Sequence, residues 1–307
     1  MSLIRLRELS EQDIEHRLLG PGLGLHVGSF RSLVRSDTGL LASPLRLLYQ
    51  DYWVETAITG FFDFRIGLKK TRKRFWNPWQ VEFDWEGSSP FPPLALAHAH
   101  PLFEWGLNWC VATASGLNTV IHSAVVERDG LALVLPGQPG AGKSTLCAAL
   151  VMNGWRLLSD ELTIVSQKDF LVQPVPRPIS LKNTSIEMIK AKFPNADMSP
   201  SIYDTHKGTI AYARAPSASV AAAGDRVPIG YVVFPKYQSS STLGYEVLSR
   251  ATALTELMGH TFNVELLGGY GFERLAHSIA SAQCYAVEYP DLPSILHWVD
   301  AICRPQH

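Results

Sequence analysis

Gly137, Gly142, Lys143 and Ser144 of the stretch GQPGAGKST (137–145) satisfy the spacing G-x-x-x-x-G-K-[ST]. Those residue types at that spacing hold phosphate oxygens. The glycines let successive backbone N–H groups turn inward. The Lys143 ammonium reaches a β- or γ-phosphate, and the Ser144 hydroxyl ligates Mg2+. Gln138, Pro139, Gly140, Ala141 and Thr145 complete the cradle. Phosphate chemistry also needs an acid at the end of a neighbouring strand. Asp160 and Glu161, in WRLLSDE (155–161), are the candidates. Adjacent side chains of an extended strand point to opposite faces. Both acids therefore reach one phosphate only if the chain turns there. One would hold the metal while the other activates an acceptor hydroxyl, or one is structural.

The elements that must position these groups are legible around them. LALVLP (131–136) reads as a buried strand, and STLCAALVMN (144–153) as a helix apolar on every face that stops at Gly154. Trp155 to Leu158 reads as a short strand delivering the acids. Asp129-Gly130 between two apolar runs is a two-residue hairpin signal. With that turn Arg128 faces Leu131, and the same register sets His122 opposite Gly137. A one-residue slip would put His122 on the other face. His122 is then a candidate for proton handling with the acids or for a phosphate hydrogen bond, against the alternative of a structural strand histidine. The acids follow directly on the loop's own helix. With no N-K-x-D or L-S-G-G-Q stretch in the chain, GTPase and transporter readings fit poorly.

The chain has 307 residues, 46% hydrophobic and 18% charged, with a formal net charge of −1. That predicts a large buried core and no global field to recruit nucleic acid or an anionic membrane. Four cysteines without metal spacing, an N-terminus charged throughout, and no long apolar run predict a soluble cytoplasmic protein with no membrane span. Strand-like runs (LGLHVGSFRSLV, FFDFRIGL) and a helical run (SPLRLLYQDYW) come first, then EGSSPFPP, a linker or long turn. The expected division is a small α+β domain over 1–90 and an α/β nucleotide-binding domain over 91–307. The latter opens with a buried helix in LALAHAHPLFEWGLNWCVATAS (94–115). Residues 213–228 read as a mobile loop.

Together, His122, GQPGAGKS and SDE resemble the HPr kinase/phosphorylase superfamily, where a histidine-bearing strand, a glycine loop and paired acids follow one another. The chain is closer still to the HprK-related kinases of exosortase-associated gene clusters. The blocks that carry this are Glu104 to Trp109, Pro139 to Leu146, Gly154 to Glu161, Pro176 to Asn183, Thr205 to Thr209 and Phe262 to Phe272. The resemblance implies an α/β P-loop core of the HPr kinase/PEP carboxykinase type. It implies ATP and Mg2+ as cofactors and transfer to a serine or threonine hydroxyl of a protein or peptide. Asp160 and Glu161 would serve as general base and metal ligand, and a homo-oligomer is compatible with it. Three departures stand out. Thr145 replaces a glutamate, Glu161 replaces an aspartate, and no P-G-R-N loop is present, so neither HPr as acceptor nor a phosphorylase reaction is implied. An ATP-binding regulatory or assembly module and a small-molecule kinase remain alternatives.

Other residues admit competing readings. Arg177, Lys182, His206 and Lys207 would grip phosphate or an acidic substrate, or be exposed loop charges. Lys236 is a candidate for a similar basic role. Lys69, Lys70, Arg72, Lys73 and Arg74 read as a solvated hairpin tip, with a docking patch as the alternative. His98 and His100 read as core or surface histidines, and the aromatic blocks FWNPW and EWGLNW as packing.

Overall fold

The computed structural model describes residues 3–72 and 74–303, with Val264 described by its backbone alone. Lys73 of the basic stretch lies outside the described residues. The chain begins with β1 (Leu3–Arg5), α1 (Glu11–Leu19), β2 (Leu23–Val27), β3 (Phe30–Ser36), α2 (Ala42–Leu48), β4 (Trp53–Glu55), β5 (Phe64–Thr71), β6 (Gln80–Trp85) and β7 (Leu94–Ala95). Ser10 starts α1 with a reciprocal cap: its hydroxyl accepts the Asp13 N–H and the Asp13 carboxylate accepts the Ser10 N–H. The strands form one mixed sheet in the order β1-β4-β2-β3-β5-β6-β7, parallel at β3/β5.

The β5–β6 ladder ends at Thr71–Gln80: Lys69 and Lys70 lie on β5 near its end, and Arg72 and Arg74 lie beyond the last pair, at the hairpin tip. The aromatics of FWNPW are not core, contrary to expectation. Phe75, Trp76 and Trp79 are 75%, 63% and 48% exposed, because they lie beyond the last ladder pair with no layer opposite to cover them.

Next comes α3 (Ala99–Ala114). It starts later than Leu94, because Leu94 and Ala95 pair with β6. Pro101 falls in its first turn, where a missing N–H costs nothing. Gly106 lies against the Phe83 ring of β6 so closely that a Cβ would overlap it.

The remaining elements are β8 (Thr119–Arg128), β9 (Leu131–Pro136), α4 (Lys143–Met152), β10 (Arg156–Ser159), β11 (Leu162–Val165), β12 (Val172–Gln173), β13 (Ile179–Lys182), α5 (Thr184–Lys192), β14 (Ile202–Thr205) and β15 (Gly208–Ala213). They continue with α6 (Ser217–Ala221), β16 (Ile229–Tyr237), β17 (Gly244–Leu248), α7 (Arg250–Met258), α8 (Val264–Leu267), α9 (Gly269–Ser278), β18 (Gln283–Tyr289) and α10 (Leu292–Ile302). An eight-stranded mixed sheet runs β12-β11-β8-β9-β16-β18-β17, with β10 also paired to β8, and a three-stranded sheet runs β13-β15-β14. β16 is parallel to both β9 and β18. The architecture is therefore mixed α/β.

The middle strands of the eight-stranded sheet are buried on both faces, and a period of two divides their side chains between two cores. Val120, Ala124 and Val126 of β8 join the core that holds α4, while Ile121 and Val125 join a second core with Leu257 and Leu275. The first of these cores runs from Leu23 of the first sheet to Val299 of α10. In α4, Leu146 to Val151 are all buried, as a helix apolar on every face demands. Residues 213–228 are not a mobile loop. They contain α6, whose Ser219 hydroxyl accepts the Leu157 N–H, and Arg156 donates to the carbonyls of Ala222 and Asp225. Among the described residues no helix is long and apolar enough to cross a membrane.

Candidate functional site

The hairpin of β8 and β9 forms in the expected register, Arg128 opposite Leu131 and Ser123 opposite Pro136. Asp129 and Gly130 both take positive φ, 54° and 79°, as the tight turn requires. The ladder stops at Ser123–Pro136, one pair short of His122 and Gly137. The glycine loop therefore leaves β9 beside His122 and enters α4 at Lys143. Gly142, at φ 91°, is needed twice over: for its left-handed backbone, and because a Cβ would overlap the Tyr289 hydroxyl. Lys143 Nζ donates to the carbonyls of Gly137 (2.5 Å) and Gln138 (3.1 Å), folding back over the loop. Burial holds its ammonium below the ordinary lysine value, against the opposing pull of Glu161 and Asp160. Thr145 Oγ1 donates to Ser185 Oγ at 2.7 Å, pinning the start of α4 to α5.

Asp160 and Glu161 sit in a bend between β10 and β11, which pair in succession along the same edge of β8. The register shifts between Leu157 and Ser159, and pairing resumes at Leu162–His122. Such irregularities re-aim side chains. Here the bend supplies the turn that lets two adjacent acids line one cleft of about 550 Å³ with Lys143 and Ser144. Asp160 is the deeper, 5% exposed, and its Oδ2 accepts the Ser180 N–H at 2.9 Å. Oδ1 is buried without a well-formed hydrogen bond; the Ser144 hydroxyl stands close enough to lower the pKa but not in bonding geometry. Burial and then the Glu161 charge push the Asp160 carboxyl up to about 7, with the Ser180 N–H, Lys182 and Ser144 pulling the other way. Glu161 is shallower, and its Oε2 stands 3.9 Å from His122 Nδ1. His122 is half-buried and packs on Phe262, its ring centroid 5.5 Å away. Burial first, then Lys143, His260 and Lys182, lower its pKa, while Glu161 raises it.

Ser144, Asp160 and Glu161 offer hard oxygen donors, and Asp160 Oδ1 is a buried acceptor lacking a partner. That donor set suits Mg2+, which takes a few protein oxygens and completes its shell with phosphate and water. Among the described residues no group of three or more His, Cys, Asp or Glu is placed to hold a metal ion.

A second cavity, about 490 Å³, adjoins the first, and Glu161, Ser180 and Lys207 line both. One wall is a face of α3 carrying Trp105 and Trp109 at i, i+4 spacing, and Phe262 faces it from far along the chain. The two tryptophans therefore line a cavity as well as pack, and Ser180 joins them. Helical spacing marks the shared face but not what that face borders.

The four cations of the basic blocks separate. Lys182 and Lys207 do line the first cleft. Lys207 Nζ also stands 4.9 Å from the Trp105 ring centroid, and the His206 ring meets the same indole edge-on with 4.4 Å between ring centroids. Arg177 is not an exposed charge: it is 7% exposed, ion-pairs with Glu104 at 3.3 Å and donates to Asn108 Oδ1 at 2.8 Å, and it lines the second cavity rather than the first. A buried carboxylate at 104, also bonded by Tyr49 (2.8 Å) and His100 (3.3 Å), draws the guanidinium inward. Lys236 lies within β16 and pairs with Glu288 at 2.7 Å, outside the cleft lining. His98 meets the Tyr203 carbonyl at 3.0 Å, and His100 is buried.

No protein-family model matches the chain. A segment of 49 residues is 41% identical to the HPr kinase/phosphorylase of Lactobacillus delbrueckii subsp. bulgaricus, covering 16% of this chain and 16% of that relative. A solved structure of the Hpr(Ser) kinase/phosphatase from Coxiella burnetii is similar at 11% identity over 60% of this chain and 88% of that chain, with a TM-score of 0.24. The matched segment is similar to a member of the family that the motifs resemble, and it spans about a sixth of that relative's length.

Proposed function

We propose that this protein is an ATP- and Mg2+-dependent kinase that transfers the γ-phosphate to a hydroxyl, a serine or threonine of a protein or peptide. One observation carries the reading: a phosphate-type cleft and a second cavity meet at Glu161, Ser180 and Lys207. A nucleotide-binding module without transfer needs only the first cleft. A kinase needs a donor side and an acceptor side with a carboxylate between them.

Bound ATP with Mg2+ would supply the transferable phosphoryl group and neutralise its charge. In this reading residues 137–145 form a phosphate loop whose backbone N–H groups, with Lys143, bind the phosphates. Ser144 and the deep Asp160 hold the cation. Glu161, facing both cavities, takes the proton of the acceptor hydroxyl, and His122 orients it. Lys182 and Lys207 stabilise charge on the transferred group. The division into a small domain over 1–90 and a kinase domain over 91–307 belongs to the same proposal.

The size of the second cavity also suits a compact ligand, which favours a small-molecule acceptor as a second reading. The test is γ-labelled ATP with the purified protein and a lysate of its own organism. Label in a protein band supports the first reading, and label in a small-molecule fraction the second. Nucleotide binding with no transfer to either would defeat both.

A further inference from the structure

We propose that the tip of the β5–β6 hairpin is a docking element for an anionic membrane surface. Residues 69–79 contain five Lys and Arg and no Asp or Glu. Lys69 is paired with Asp84 at 2.8 Å. Lys70, Arg72 and Arg74 are exposed and make no ion pair among the described residues. Each arginine lies on an exposed indole. The Arg72 guanidinium is 4.4 Å from the Trp79 ring centroid and Arg74 is 5.2 Å from that of Trp76. Arg72 also donates to the Phe75 carbonyl at 2.9 Å, and Phe75 meets Trp76 edge-on with centroids 4.7 Å apart. The tip thus holds aromatic rings and cations side by side, joined by their own contacts.

That chemistry selects the partner. Indole rings favour the headgroup layer, where an apolar body and a polar edge are both satisfied. Lys and Arg beside them are drawn by the negative potential of anionic lipid. A projecting tip needs a matching groove in a folded acidic protein, whereas a fluid headgroup layer deforms around it. The net charge of the whole chain is −1, so attraction would come from this patch rather than from the molecule, and it would bind tip-first.

The experiment is cosedimentation of the full chain with vesicles of phosphatidylcholine alone and of phosphatidylcholine with phosphatidylglycerol, at low and high salt. Sedimentation with the anionic vesicles and its loss at high salt are expected. Replacing Lys70, Arg72 and Arg74 by Gln should lower the partition roughly a hundredfold, about fivefold per cation. Replacing Phe75, Trp76 and Trp79 by Ser should lower it at least about tenfold. These side chains are exposed, so both variants should melt like the parent, and that measurement separates lost docking from lost folding. Failure to sediment with anionic vesicles overturns the proposal, as does equal sedimentation with neutral ones or binding that survives loss of the aromatics. Tip-dependent retention on immobilised polyglutamate without vesicle binding would assign the tip to an acidic protein instead.

Discussion

His122 Nδ1 lies 3.9 Å from Glu161 Oε2, on a strand whose next residue begins the ladder to the glycine loop. Burial keeps the imidazole below its ordinary pKa despite the carboxylate. At pH 6.5 more than half of His122 should therefore be neutral, read from the ring Cε1–H shift in a histidine NMR titration. Changing it to Gln should slow transfer about tenfold or more, at the low end for a group assisting a general base. A protonated ring at that pH would remove the stated electrostatics.

The two acids should separate by their metal dependence. Glu161→Gln should bind nucleotide with an unchanged Mg2+ requirement and lose about 10²–10⁴-fold in transfer. Asp160→Asn should also bind nucleotide and fail to transfer, but with a raised Mg2+ requirement. The opposite pattern in Mg2+ titrations would exchange their roles. Lys143→Ala should weaken nucleotide binding itself.

Asp160 makes a pH prediction for the metal-free protein. Its carboxyl titrates near 7 when folded against 3.8 as reference, so between those values the unfolded chain ionises while the folded one stays protonated. Stability is thus greatest below the unfolded value and falls as pH rises toward 7. In chelator, Asp160→Asn should raise the melting temperature at pH 8 by several degrees, on the order of a 1–2 kcal/mol gain. The gain should shrink steadily toward pH 5. A variant less stable than the parent at pH 8 would show that the buried charge is better compensated than its surroundings suggest.

Arg177 should behave as a core residue. Arg177→Met leaves Glu104 buried without its cation and should cost about 3–5 kcal/mol by denaturant unfolding. Adding Glu104→Gln should recover part of the loss, since Tyr49 and His100 can still bond an amide. A variant of full stability with weakened nucleotide binding would return Arg177 to the phosphates.

Lys207 joins the two cavities and should act on transfer more than on binding. Lys207→Met should lower the rate of transfer about 10²-fold, the scale of losing one charge-stabilising donor, with little change in nucleotide affinity. An equal loss in both would confine Lys207 to the nucleotide side.

Local chemistry made the hairpin readable. An Asp-Gly turn admits essentially one register, and that register fixes where the loop begins beside His122. The bend at the acids was a conditional inference, because the shift at Leu157/Ser159 depends on pairing with a distant strand. The sequence does not distinguish a buried tryptophan from an exposed one. FWNPW and EWGLNW look alike, yet the first is at a tip and the second on α3 against the core. The partner of Arg177, Glu104, is 73 residues away, a separation over which the sequence gives no sign of an ion pair. The i, i+4 face of α3 is legible, but that it borders a cavity depends on Lys207 and Phe262, far along the chain.

The Phe83 ring occupies the space that a side chain at position 106 would take. The two positions therefore share one volume, and neither can drift alone. A lineage could acquire alanine at 106 only after the ring at 83 had shrunk, and the reverse order would pass through a poorly folded ancestor. Substitutions at 83 and 106 are thus expected to couple the first sheet to the helix bearing Glu104 and Trp105. A graft of residues 1–90 from a distant relative would be expected to succeed only if it carries an aromatic ring matched to this notch.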